Sequence, residues 1–247
     1  MIPSTPAAKI KLINIEESTK RSFSDDELLF LFPKRYAFGP VSWIPVILLF
    51  QGLRPNEGCQ LRTDDVVQDP RSGIWCLRIT VEARRDSRIS PKAPDRMLKN
   101  KVSRRVIPLH KRVIELGFLD YVEQRQSAGA KMLFDVKKYG QAGYYESVRK
   151  AIVKAMVDAG VYTRDTTVHS LRHTFAETLR NVAEAPQDMR QAMGGWSVTG
   201  SAEIDYGSER FWPQNMKPWL DRIDWPKLFL EQPDRNIAVA GGVELVG

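Results

Sequence analysis

Apolar residues recur at helical spacing along most of this chain and alternate in only one short part of it. Ser24 and Glu27 form a capping-box pattern ahead of Leu28, Leu29 and Leu31, which predicts a helix start. Residues 41–52 read as a buried helix. Its Pro45 lies early, where a missing donor does least harm. Pro55 suits the first position of a short third helix. Residues 74–82 carry Trp75, Ile79, Thr80 and Val81, which favour a strand. Residues 101–109 read as its hairpin partner, stopped by Pro108. Over residues 111–125, Val113, Ile114, Leu116, Phe118, Leu119 and Val122 suit a helix with a soft spot at Gly117. Residues 144–159 carry the stripe Val148, Ile152, Met156 and Val157, ended by Gly160. Ser170 is the expected N-cap of a helix running to about Val182. Shorter helices are expected at 186–193, 201–206 and 215–222. The pattern describes an α+β fold, mainly α, in which one small antiparallel sheet or hairpin joins a helical domain.

Composition adds a direction. The chain has 247 residues, 43% of them hydrophobic, with six tryptophans, enough for one large domain or two modest ones. The net charge is +7, and it is not spread evenly. Residues 84–105 hold nine basic side chains against Asp86 and Asp95, so this segment alone matches the whole surplus. Such a block is an electrostatic footprint for a polyanion. Arg84, Arg85, Arg88, Lys92, Arg96, Lys101, Arg104 and Arg105 are the DNA-binding candidates. Cys59 and Cys76 are too few for a disulfide framework and fit a reducing compartment. No signal-peptide h-region is visible, and the longest apolar stretch, 41–53, is too short to span a bilayer. A cytoplasmic protein without membrane association is therefore expected.

Candidate chemistry concentrates near the C-terminus. His169 and Arg172 are three apart, Trp196 follows Arg172 by 24 residues, and Tyr206 follows ten residues later. The set holds a cation for phosphate oxygens, a titratable imidazole, an indole donor and a phenol nucleophile, enough to hold and attack a phosphodiester without a metal. None of the other six tyrosines follows a tryptophan or histidine at such a spacing; Tyr144 and Tyr145 are the next suspects.

The strings HSLRHTF and MGGWSVTGSAEIDYG resemble the C-terminal signature of the tyrosine recombinases, the lambda-integrase-like or phage integrase family. FQGLRPNEGCQLRTDDV resembles that family's first-arginine motif, and LKNKVSRRVIPL its lysine-bearing hairpin. The three blocks keep the family's order across residues 50–207.

The resemblance implies the family's helical catalytic domain and a set of roles. Arg54 and Arg172 hold the phosphate oxygens, as planar, always-charged donor forks can. Glu57, one turn beyond Arg54, is a supporting partner. His169 contacts the phosphate and handles the proton of Tyr206, the nucleophile; helix N–H groups beside it would favour an anion. Lys99 matches the general-acid position better than Lys101, two residues on along the same strand face. Trp196 stands where most members carry histidine. It cannot shuttle a proton, which leaves it a phosphate donor or a packing residue. His173 is expected to be structural.

The implied reaction is site-specific cleavage and rejoining of double-stranded DNA through a 3′-phosphotyrosyl link, with no metal, cofactor or ATP and no small-molecule substrate. Alternatives are a type IB topoisomerase-like relaxer and an inactive DNA-binding module. The resemblance also implies a nucleoid-associated protein, bacterial or phage-derived, that acts as a homotetramer on DNA, with the apolar C-terminal segment docking in cis or in trans. The expected organisation is a lead-in over 1–20, the catalytic domain over 21–231 and a tail over 232–247. No room is seen before Ser24 for the family's separate N-terminal clamp, so the chain reads as either a catalytic fragment or a minimal variant.

Overall fold

The computed structural model describes residues 20–32, 39, 41–80, 96, 104–196, 209–225 and 227–228. Among these, nine α-helices and one three-stranded antiparallel sheet are formed. Helix α1 (Asp25–Leu31) starts at the expected capping box: the Ser24 hydroxyl accepts from the Glu27 N–H, and the Glu27 carboxylate accepts from the Ser24 N–H at 2.8 Å. Helix α2 (Trp43–Gln51) is buried along its whole length, as its unbroken apolar run requires. It ends at Gly52, whose left-handed φ of 62° and contact with the Phe175 ring leave no place for a Cβ. Pro55 opens α3 (Pro55–Cys59).

Strands β1 (Val66–Gln68), β2 (Trp75–Ile79) and β3 (Arg105–Pro108) lie in that order. The β2–β3 hairpin pairs Leu77 with Ile107 and Ile79 with Arg105. β1, three residues long and outside the sequence expectation, pairs antiparallel with β2. The expected single helix over 111–125 is two helices, α4 (Lys111–Glu115) and α5 (Phe118–Ser127). They part at Gly117, where φ is 87°. The expected soft spot is a break.

Helix α6 (Glu146–Asp158) stops before Gly160, whose φ is 71°. Helix α7 (Ser170–Asn181) packs its apolar face, including Leu171, Phe175 and Leu179, on α2. Its N-cap is His169, not Ser170; the Ser170 hydroxyl instead accepts from the Thr167 N–H. Helices α8 (Gln187–Gly194) and α9 (Pro213–Leu220) follow, and both pack on β3. One core runs through α2, α7, the sheet and α9; Cys59 lies in it, Cys76 is buried as well, and neither forms a disulfide. No helix among the described residues is long and apolar enough to cross a membrane. The α+β, mainly α architecture agrees with the sequence expectation. Lys99, Tyr206, the expected 201–206 helix and the tail lie outside the described residues.

Candidate active site

Three elements that are remote in sequence bring their chemistry to one cleft. The Gly52 turn swings the chain out of α2 so that Arg54 becomes the N-cap of α3. α7 lies against α2 and delivers Arg172 from the far side. The left-handed Gly195, with φ of 62°, closes α8 and delivers Trp196. The result is a cleft of about 580 Å³ whose lining includes Arg54, Glu57, Lys138, Tyr145, His169, Arg172 and Trp196.

At its floor lies Glu57, 3% exposed. Its carboxylate accepts from the Arg54 N–H (3.0 Å) and Arg54 Nη1 (2.5 Å), and from Arg105 Nη2 (3.0 Å); Arg172 Nη1 stands 3.9 Å away. Burial works against the charge, but Arg105 and Arg54 overcome it and hold the carboxyl at about 2. The Arg54 and Arg172 guanidiniums are also tied to backbone. Arg54 Nη2 donates to Gly195 O (3.2 Å). Arg172 donates through Nη1 to Gly52 O and through Nη2 to Gly194 O (2.5 Å). The two turns are thus acceptors that aim the forks, a second reason for the Gly52-Leu-Arg and Gly194-Gly195-Trp strings. Burial, with Arg105 and Arg54 nearby, lowers the Arg172 pKa to about 9, against which Glu57 holds. The Arg172 guanidinium also lies over the Trp196 indole, 4.7 Å from its centroid, so this tryptophan packs the arginine it follows in sequence.

His169 is exposed at the cleft, its ring edge-on to His173 at 5.1 Å. Burial and then Arg172 lower the His173 pKa. The expectation of free helix N–H groups beside His169 is corrected: Ser170 N–H donates to Thr167 O, Leu171 N–H to Val168 O and Arg172 N–H to His169 O. A preceding turn consumes the donors that would have met an anion, which leaves side chains as the cleft's donors at this point. Tyr145 lines the cleft, but burial pushes its phenol up, against nucleophile formation.

Two of the eight DNA-binding candidates are corrected. Arg96 is 3% exposed and ion-paired with Asp65 at 2.5 Å. The Arg105 side chain is fully buried against Glu57. A charge run treats all its members alike, whereas strand alternation places Arg105 on the inward face with Ile107 and turns Val106 outward. That signal was in the sequence. Arg104 is exposed, and Arg84, Arg85, Arg88, Lys92 and Lys101 lie outside the described residues. The sequence motifs missed Lys138, a cleft-lining cation on a loop. Asn56 pins that loop to α3: its Nδ2 donates to Ala142 O (3.3 Å) and its Oδ1 accepts from the Tyr145 N–H (2.8 Å).

The same architecture occurs in solved structures. The integrase from mycobacterium phage Brujita matches with a TM-score of 0.56 at 22% identity, covering 89% of this chain and 63% of that one. The XerH site-specific recombinase, solved bound to its difH substrate in a pre-cleavage complex, matches with a TM-score of 0.50 at 19% identity, covering 77% of this chain and 50% of that one. This chain therefore spans between half and 63% of the length of those proteins. No curated protein sequence matches it. The phage integrase family does match, over residues 44–209, a span that holds Arg54, Glu57, Arg105, His169, Arg172, Trp196 and Tyr206. The chain belongs to the phage integrase family, the tyrosine site-specific recombinases.

Proposed function

We propose that this chain carries the catalytic site of a site-specific DNA recombinase, and that it cuts and rejoins strands through a covalent link to Tyr206. The carrying observation is that Arg54 and Arg172, 118 residues apart in sequence, line one cleft beside a shared carboxylate, with His169 exposed next to them. A phosphodiester in that cleft meets two planar forks at its non-bridging oxygens, where charge grows during attack. Each such donor is worth about 3–4 kcal/mol of transition-state stabilisation.

The chemistry balances without an energy source. The Tyr206 oxygen attacks phosphorus while its proton passes toward His169. The P–O5′ bond breaks, and the leaving oxygen takes a proton from Lys99, the general acid. A 5′-hydroxyl then attacks the phosphotyrosine and gives its proton to Lys99, the Tyr206–phosphorus bond breaks, and the phenol regains its proton from His169. One phosphodiester replaces another, so ATP has no part to play. Trp196 packs the Arg172 fork and takes no proton. Double-stranded DNA is the substrate, held as four protomers on two duplexes.

Incubation with a pool of nicked duplexes of randomised sequence tests this. The wild type should leave an SDS-resistant protein–DNA adduct enriched in one sequence, and Tyr206→Phe should leave none. Absence of a wild-type adduct sinks the enzymatic assignment. An adduct surviving Tyr206→Phe sinks the nucleophile. Exchange between two labelled duplexes carrying the enriched sequence marks a recombinase; relaxation of a supercoiled circle alone marks a topoisomerase-like activity.

A further inference from the structure

The strongest unassigned feature is the Arg105 guanidinium, fully buried on an inward strand position between Ile79 and Ile107. Core strands seldom carry a charge there, and a buried ion pair is weak as a source of stability, because an apolar residue of similar volume serves as well. The contacts indicate another use. Arg105 Nη2 donates to Glu57 Oε2 at 3.0 Å, the oxygen that also accepts the Arg54 N–H and lies 3.9 Å from Arg172 Nη1. Arg105 Nε donates to Met193 O at 2.8 Å, in the last turn of α8. A Cβ on Gly195 would sit 2.7 Å from Arg105 Nη1, so the guanidinium fills the space beneath the turn that presents Trp196. Arg105 is also the first residue of β3, the strand that leads out of the lysine-bearing block.

We infer that Arg105 is a positioning residue for strand transfer: through Glu57 and the Met193–Gly195 turn it aims the Arg54 and Arg172 forks, and its fixed charge favours the transition state over the bound diester. This rests on the strand-transfer assignment above. The physical basis is a difference in charge. A bound phosphodiester carries one negative charge, and attack by a phenolate brings a second onto the reacting group. A buried cation that touches no substrate is therefore felt more strongly at the transition state than in the ground state. Its loss should lower the chemical rate and spare DNA affinity. A purely structural arginine would instead lower stability, and the rate only through the folded fraction. Burial and then the Arg105 charge lower the Arg172 pKa, which agrees with two guanidiniums gathered on one carboxylate.

The test uses the duplex enriched by the wild-type adduct, in nicked form. Adduct formation is followed at saturating protein, binding by fluorescence anisotropy and folding by thermal melting. Arg105→Gln should bind within about 3-fold of wild type and form adduct roughly 30-fold more slowly, less than direct loss of a transition-state donor. Arg105→Lys keeps the charge and loses the two-pronged geometry, so it should recover part of that rate. Adding Arg105→Gln to Glu57→Gln should slow the reaction by less than the product of the two single losses, because part of the arginine's effect passes through that carboxylate. If Arg105→Gln does not fold, Arg105→Lys decides, with an expected loss of roughly 10-fold in rate at unchanged affinity. A wild-type rate in the folded variant, or equal losses of binding and rate, overturns the inference. Multiplicative losses in the double variant do the same. A wild type that forms no adduct overturns the strand-transfer assignment first, and this inference with it; the inference alone falls when the wild type reacts and the Arg105 variants match it.

Discussion

Two buried acids, eight residues apart, occupy parallel settings and behave in opposite ways. Glu57 and Asp65 each sit three residues after an arginine and accept its backbone N–H, from Arg54 at 3.0 Å and from Arg62 at 2.9 Å. Each also takes a guanidinium from the basic segment, Arg105 for Glu57 and Arg96 for Asp65. Yet Glu57 is held ionised, at about 2, whereas burial outweighs Arg96 and raises Asp65. The difference is coordination. Both Glu57 oxygens are engaged, by Arg54 and Arg105, and Arg172 stands close by. Asp65 accepts through Oδ2 from Arg62 and Arg96, and its buried Oδ1 has no hydrogen-bond partner. One carboxylate organises a cleft; the other fastens Arg96 to the short turn before β1.

The largest effect should come from neutralising each acid in turn. Glu57→Gln should slow adduct formation on the enriched duplex by roughly 100-fold or more, since two transition-state donors lose their common anchor. Asp65→Asn should stay within about 3-fold, as expected of a group outside the cleft. Equal losses in the two variants would erase the functional contrast.

Stability should follow the same order. Glu57→Gln leaves buried guanidiniums without their charge partner, at a cost of about 3–5 kcal/mol. Asp65→Asn keeps an oxygen acceptor for Arg62 and Arg96 and removes a charge that burial disfavours, so it should cost less, about 1–2 kcal/mol. Urea unfolding at neutral pH measures both.

Acid should then drive the two apart. The folded Glu57 carboxyl lies below its unfolded value of about 4.3. Its contribution is therefore full above that value and lost as pH falls toward 2. Asp65 is raised, so its contribution is full below about 3.9 and lost as pH rises through its folded value. Between pH 5 and 3, the stability gap between wild type and Glu57→Gln should narrow, while that between wild type and Asp65→Asn should move in favour of wild type. Parallel curves would show that coordination does not separate the two acids.

Much of this architecture was legible in the chain because local rules decided it. The Ser24 box, Pro55 at the start of α3 and Gly160 beyond α6 each follow from one residue's backbone chemistry. That Arg54, Glu57, His169 and Arg172 meet in one cleft was legible because their motifs stand intact. β1 was not, since three residues carry no usable alternation. The anion-binding role given to the α7 N-terminus failed because a turn outside the helix takes up its donors. Arg96 and Arg105 were misjudged because charge counts carry no burial. For Arg105 the two-residue spacing from Ile107 held the missing information, whereas for Arg96 the partner, Asp65, is 31 residues away and nothing local announces it.

The smallest effect should come from the opposite wall. Lys138 is exposed and reaches the cleft only because Asn56 pins its loop to α3. Such a solvated cation attracts phosphate equally in the bound diester and in the transition state, and so it belongs to uniform binding. Lys138→Gln should therefore weaken DNA binding, reduce the salt dependence by about 0.9 in log–log slope, the value of one phosphate contact, and leave the saturated adduct rate unchanged. Asn56→Ala should do the same more weakly, since it frees the loop without removing the charge. Binding measured from low to moderate salt, beside single-turnover rates, separates these quantities. A slower saturated rate for Lys138→Gln with an unchanged slope would mean that the exposed cation shares the chemical step, and burial beside a fully engaged carboxylate would no longer be what distinguishes the arginines proposed for that step.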